Sequence, residues 1–221
     1  MHRFFHLITC LLTLIAYPLC AQSDDKSAKV KFRVTRFDLL DKAPPRYEVG
    51  TERLALEVPL NFIEGPHTAT LREGRFLDFF PGKAEKPEFS LTIAENERTD
   101  LLLYFINNGE SYTVLKILTP AATLRGGDRY VLNGTNSRLG IKLDKQEPVF
   151  LEPGKSGIVR GPGGQEIVSV PVLISRFQDE EWKLASTENW YIDPRSRGYL
   201  FSYISPRTHQ LTFHVITERL Q

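Results

Sequence analysis

GYLFSYISPRTHQLTFHVI, residues 198–216, decides the fold. Two apolar runs flank a polar turn containing Pro206, the layout of a β-hairpin. The same layout occurs earlier, in LLLYFINNGESYTVLKIL at residues 101–118. There Asn108-Gly109 supplies the turn, because both residues tolerate positive φ. The sequence therefore predicts an all-β protein. Its expected form is two antiparallel β-sandwich lobes, immunoglobulin-like or of a related Greek-key kind, each closed by one of these hairpins.

Working outward, KVKFRVTRFDLL alternates, with Val30, Phe32, Val34 and Phe37 assigned to one buried face. Pro44-Pro45 ends that strand. ERLALEVPL is the next, with Leu54, Leu56 and Val58 inward. HTATL and RFLDFF read as a hairpin around Arg72-Glu73-Gly74, and PEFSLTIA follows as a further strand. LLLYFIN is the most continuous apolar run and is placed centrally. No segment of this half has a long 3.6-residue apolar period.

TPAATLRGG, residues 119–127, is bracketed by Pro120 and Gly126-Gly127 and is the best internal boundary. The expected layout is a signal peptide at 1–21, a polar start at 22–28, one lobe at 29–118, a linker at 119–127 and a second lobe at 128–221. DRYVLNG matches ERLALEV in position and charge, and Leu151-Gly154-Lys155 matches Leu71-Gly74-Arg75. The offsets, about 76 and 80 residues for these matches and about 98 for the hairpins, fit a duplication with lengthened loops; they also fit chance similarity among strands. EIVSVPVLIS carries Pro171, which a bulge or an edge position tolerates. EWKLAS and ENWYI read as two short aromatic strands.

The chain opens MHRFFHLITCLLTLIAYPLCAQSDD, a basic residue and an apolar core before a cleavage-like Leu19-Cys20-Ala21. That pattern is a secretory leader, and it places the mature chain in a periplasm or outside the cell. Lipoprotein anchoring at Cys20 is the lesser alternative. Both cysteines, Cys10 and Cys20, lie in the leader, so the remainder has no disulfide to staple it. Without Arg3, 27 basic residues balance 27 acidic ones, which argues against a nucleic-acid partner. No second apolar run is long enough to span a bilayer.

No reaction motif appears. His67, His209 and His214 form neither H-E-x-x-H nor a close metal pair, and no G-x-S-x-G elbow is present. No cofactor is expected. Asn133-Gly134-Thr135 matches a glycosylation acceptor but is read as a turn. Arg125 to Arg129 is read as an ion-paired turn, with an anion-binding nest as its alternative. The unusual patch is WYIDPRSRGYLFSY, residues 190–203, with Trp182 nearby. Tryptophan, tyrosine and arginine anchor binding surfaces, so Trp182, Trp190, Tyr191, Arg195, Arg197 and Tyr199 are the candidate ligand or partner residues. If this stretch is a recognition edge, Trp190 and Arg197 should share an accessible patch. The alternative reading makes the aromatics core. The leading expectation is a non-catalytic binding or scaffold protein of the bacterial envelope or exterior, whose partner is another envelope or extracellular protein. A carbohydrate-binding module using exposed Trp182, Trp190 and Tyr191 is the second reading. An enzyme with a site between the lobes is the third.

Overall fold

The computed structural model describes residues 28–38, 45–107, 112–118, 123–205 and 207–220. The leader, the Asn108-Gly109 turn and part of the expected linker lie outside the described residues. The rest is all-β, as expected, and forms two sandwich lobes.

Lobe 1 is built from β1 (Lys29–Asp38), β2 (Arg46–Val49), β3 (Leu54–Glu57), β4 (Glu64–Thr70), β5 (Phe76–Pro81), β6 (Phe89–Thr92), β7 (Leu101–Asn107) and β8 (Tyr112–Leu118). Lobe 2 is built from β9 (Arg129–Asn133), β10 (Leu139–Leu143), β11 (Val149–Leu151), β12 (Ser156–Val159), β13 (Val168–Gln178), β14 (Glu181–Ile192), β15 (Ser196–Ile204) and β16 (Leu211–Arg219). Each lobe has an outer and an inner four-stranded sheet. The outer orders are β3-β2-β5-β6 and β11-β10-β13-β14; the inner ones are β4-β1-β7-β8 and β12-β9-β15-β16. Adding eight to each lobe 1 number reproduces lobe 2. All pairs are antiparallel except β1 with β7 and β9 with β15, which run parallel. The same exception occurs at the same place in both lobes.

The shared order corrects the proposed internal matches. The two hairpins, β7–β8 and β15–β16, do correspond. DRYVLNG is β9, the counterpart of β1, so its match to ERLALEV (β3) is one strand pair out of step. Leu71 follows β4 while Leu151 ends β11, so that match fails too. HTATL and RFLDFF are not a hairpin either: β4 pairs with β1 in the inner sheet and β5 with β2 and β6 in the outer one. EWKLAS and ENWYI are one strand, β14, interrupted by a bulge opposite Ile174-Ser175.

Three apolar layers hold the sheets together. Val30, Phe32, Val34, Leu77, Phe79, Leu101, Leu103 and Phe105 fill lobe 1. Val131, Leu139, Ile141, Val172, Ile174 and Leu200 fill lobe 2. Phe37, Leu102, Tyr104, Ile117, Tyr199 and Ile216 form a third layer between the two inner sheets. Phe37 therefore faces the other lobe, not the Val30–Val34 side. The paired hairpins do not merely close their lobes; they weld the lobes to each other. This explains LLLYFIN: a strand covered on both faces reads as a continuous apolar run. Odd-numbered Leu101, Leu103 and Phe105 enter lobe 1, while Leu102 and Tyr104 meet lobe 2.

Two local features follow from the register. Pro171 sits within β13, an interior strand, yet costs little. The β10 ladder ends at Leu143 opposite Val172, and on that side the Pro171 carbonyl still accepts from the Asp144 amide at 2.8 Å. Gly126 cannot carry a side chain, because a Cβ there would lie 1.8 Å from the Pro194 carbonyl oxygen.

Candidate functional site

The aromatic candidates separate into three places. Trp182 and Tyr191 lie exposed on the outer face of lobe 2. They stand nine residues apart on β14, roughly 30 Å at strand rise. Trp190 points the other way. It packs against the lobe 2 core, and its indole N–H donates to Glu188 Oε2 at 3.1 Å. Arg195 is exposed but folds back on the Asp193 carboxylate at 3.1 Å.

Arg197 and Tyr199 are buried and belong to the interlobe layer. Arg197 donates to Glu218 Oε2 at 2.5 Å, and the Tyr199 hydroxyl donates to the same oxygen at 2.8 Å. Glu218 also receives Arg33 of lobe 1. Burial pushes the Arg197 guanidinium below its ordinary range. The expected accessible patch shared by Trp190 and Arg197 is therefore absent. The second face of β15, which reads as a binding edge in sequence, is covered by lobe 1.

The other sequence candidates resolve as structural. Asn133 is fully buried; its amide donates to the carbonyls of Ser137 and Leu151 at 2.8 and 3.0 Å, while its oxygen accepts from Thr135. It anchors a turn and is closed to glycosylation in the folded chain. The Arg125–Arg129 turn is filled by its own Asp128. Burial raises that carboxyl, but bonds from the Arg125 amide, the Arg160 guanidinium and the Gly161 amide outweigh it and hold it below its ordinary value. The three histidines have separate settings: His67 beside Phe32, His209 in the β15–β16 turn, and His214 between the lobes. Among the described residues no group of three or more His, Cys, Asp or Glu is placed to hold a metal ion. Between the lobes a cleft of about 380 Å³ is lined by Arg33, Phe62, Glu218 and Arg219. Its carboxylate, Glu218, is occupied by the two arginines.

What distinguishes the surface is the outer face of lobe 2. The register sets Phe150, Gly140, Ser175 and Leu184 in one row across four strands. Phe177 pairs with Trp182 in the next row. The Trp182 ring lies 5.1 Å from Phe150 at 44° and 5.4 Å from Phe177 at 62°. Both Phe150 and Trp182 lean over Gly140, where a Cβ would come within 3.2–3.3 Å of the two rings. Phe150 is 54% exposed, Leu173 42%, Trp182 39% and Leu184 63%. Arg138, held by Glu152 at 2.7 Å, lies over the Phe177 and Trp182 rings at 5.5 and 5.7 Å.

Lobe 1 provides an internal control. The equivalent face of β3-β2-β5-β6 also carries aromatics, but arginines cap them. Arg53 lies 3.4 Å above Phe80, and Arg72 and Arg75 lie 4.8 and 4.6 Å from Phe76. Arg72 further pairs with the buried Asp78, and Arg46 with Glu57. Both outer faces thus carry ion-paired arginines over aromatic rings, closer in lobe 1; what differs is that Phe150, Leu173, Trp182 and Leu184 stay exposed in lobe 2. Sequence reading found Trp182 and Tyr191 there but missed Phe150, Leu173 and Leu184. These come from three strands, and only strand pairing brings them together.

No protein family matches the sequence, and no curated protein matches it. Among solved structures, the chain is similar to a Bacteroides uniformis protein described as a "putative cell adhesion protein". The identity is 8%, the TM-score is 0.21, and 89% of this chain and 99% of that one are covered. Among the described residues no helix is long and apolar enough to cross a membrane.

Proposed function

We propose that the chain is a non-catalytic binding protein of the bacterial cell envelope or exterior, holding its partner on the outer face of lobe 2. One observation carries this reading: Phe150, Leu173, Trp182 and Leu184 are left exposed together on one face of one sheet. Contiguous exposed apolar surface of this kind marks interaction sites, and a tryptophan at its centre is the usual anchor. The leader-like opening of the sequence supports an exterior address.

The partner is another exterior protein. A glycan platform needs aromatic rings that present one flat surface. Here the rings are inclined to each other by 44° and 62°, and Trp190 is turned inward. Tilted rings bordering Gly140 suit an inserted apolar side chain better. The test is a double variant, Trp182→Ala with Leu184→Ser, immobilised beside the native protein and exposed to an exterior protein fraction and to a glycan array. The expected result is specific protein retention by the native chain, at least tenfold lower for the variant, with unchanged melting. Equal retention by both, or glycan binding that needs Trp182, would overturn this reading.

A further inference from the structure

We infer that the free edge of β14 takes up an extended polypeptide strand from a partner, and that Arg176 holds one carboxylate of that strand in the groove between β14 and β16. The inference goes beyond the outer-face reading and does not depend on it: it concerns the edge of the sheet and the groove beside it, which shares Leu184 but not Trp182 with the outer-face cluster.

β14 is the last strand of its sheet, and among the described strands only β13 pairs with it. It runs for 12 residues, whereas its lobe 1 counterpart β6 runs for four. Among the edge strands of both lobes it is the longest. An unpaired edge presents a row of backbone N–H and C=O groups, and strand addition uses them for affinity while alternate side chains give specificity. The bulge at Ala185 and the charges on Lys183 and Glu188 are devices that blunt an edge. The bulge and Lys183 act at one end, while Glu188 accepts from Ser186 and Trp190 of its own strand. Beyond the bulge, Ser186 to Ile192 keeps an unbroken seven-residue register with β13.

Beside this edge runs a groove of about 390 Å³, lined by Arg176, Lys183, Leu184, Ser186, His209 and Leu211 among others. Arg176 and Lys183 are cross-strand neighbours. Lys183 is satisfied by Asp179 at 2.6 Å and Glu181 at 3.5 Å, both projecting into water. Arg176 makes a long hydrogen bond of 3.4 Å to the Ser137 hydroxyl. Its Nε is buried and without a hydrogen-bond partner. A guanidinium with a buried, unused donor is costly unless something fills it, and its planar fork suits a carboxylate. The groove thus supplies an unmatched positive group at the foot of an unpaired edge.

The probes are dye-labelled eight-residue peptides of alternating Thr and Val, with one Thr replaced in turn by Glu or by Gln at each Thr position. Fluorescence anisotropy reads their binding to the intact protein. At least one Glu peptide is expected to bind tenfold tighter than its Gln counterpart. Arg176→Gln abolishes that ratio while leaving the Gln peptide unaffected, and N-methylation of alternate amides lowers binding at least tenfold. Trp182→Ala leaves peptide binding unchanged, so this inference and the outer-face reading fail separately. No binding at millimolar peptide, no position that prefers Glu, or indifference to N-methylation would overturn it.

Discussion

His214 of lobe 2 is joined to Tyr104 of lobe 1 by a 2.5 Å hydrogen bond between its Nδ1 and the phenol oxygen. The other ring nitrogen, Nε2, lies 2.7 Å from the Asn61 side-chain oxygen, again in lobe 1. That oxygen only accepts, so Nε2 donates and Nδ1 is left to accept from the tyrosine. The ring also stacks on Phe37 at 4.2 Å. One neutral imidazole satisfies all three contacts.

Burial pushes the His214 pKa down from 6.5 to about 4. The folded state therefore resists protonation more than the unfolded one. Its contribution is fully present above about pH 6.5 and is lost as pH falls toward 4. Allowing for the partial exposure of the ring, the loss is on the order of 1–2 kcal/mol. Urea denaturation at pH 7 and pH 4.5 measures it, with His214→Gln as the control. The native protein should lose more stability on acidification than the variant. Equal losses would show that His214 does not couple the lobes.

Glu218 bridges Arg33 of lobe 1 and Arg197 of lobe 2, with all three side chains at most 15% exposed. Glu218→Gln removes the charge that both guanidiniums share. Breaking a buried pair costs about 3–5 kcal/mol. We expect a fall of at least ~3 kcal/mol in urea unfolding, accompanied by faster amide exchange in both β7 and β15. Exchange that changes in β15 alone would mean the bridge stabilises only its own lobe.

Trp190 and Trp182 should respond in opposite ways. Trp190→Ala opens the margin of the lobe 2 core and should cost roughly 2–4 kcal/mol. Trp182→Ala trims an exposed ring and should cost less than ~1 kcal/mol. Thermal melting of the two single variants decides. Comparable losses would place Trp182 among the structural residues and remove the centre of the proposed surface.

The contrast between these tryptophans shows what the sequence can tell. Alternation in KVKFRVTRFD and the two hairpin patterns were enough for the fold class. They could not say what covers the second apolar face of a strand. GYLFSYI has aromatic residues at 199, 201 and 203 and aliphatic ones at 200 and 204, so neither face is solvent-like. Read without the other lobe, that excess suggests a binding edge; in the structure it is the interlobe layer, which is why Arg197 and Tyr199 are buried. The open face was harder still to see. Phe150, Leu173 and Leu184 are unremarkable in their own strands, and their meeting depends on a four-strand register that local sequence does not specify.

Asn133 offers a check on the buried turn. Asn133→Ala leaves the carbonyls of Ser137 and Leu151 without their side-chain donor. A buried unsatisfied group costs about 1–3 kcal/mol, so the variant should lose roughly 2–4 kcal/mol in urea unfolding. Expression in a glycosylating host should leave native folded chain unmodified at this position. A glycosylated, fully stable product would contradict the burial of Asn133.

The most direct measurement is carbene footprinting of the protein where it resides on or in the producing cell, set against the purified chain. Phe150, Leu173, Trp182 and Leu184 should label strongly in the purified protein and be protected in place. Exposed Phe62 and Val215, which lie off this face, should label alike in both. Protection confined to the four outer-face residues is the predicted result. Equal labelling of Trp182 and Leu184 in both settings would contradict a partner on the outer face of lobe 2.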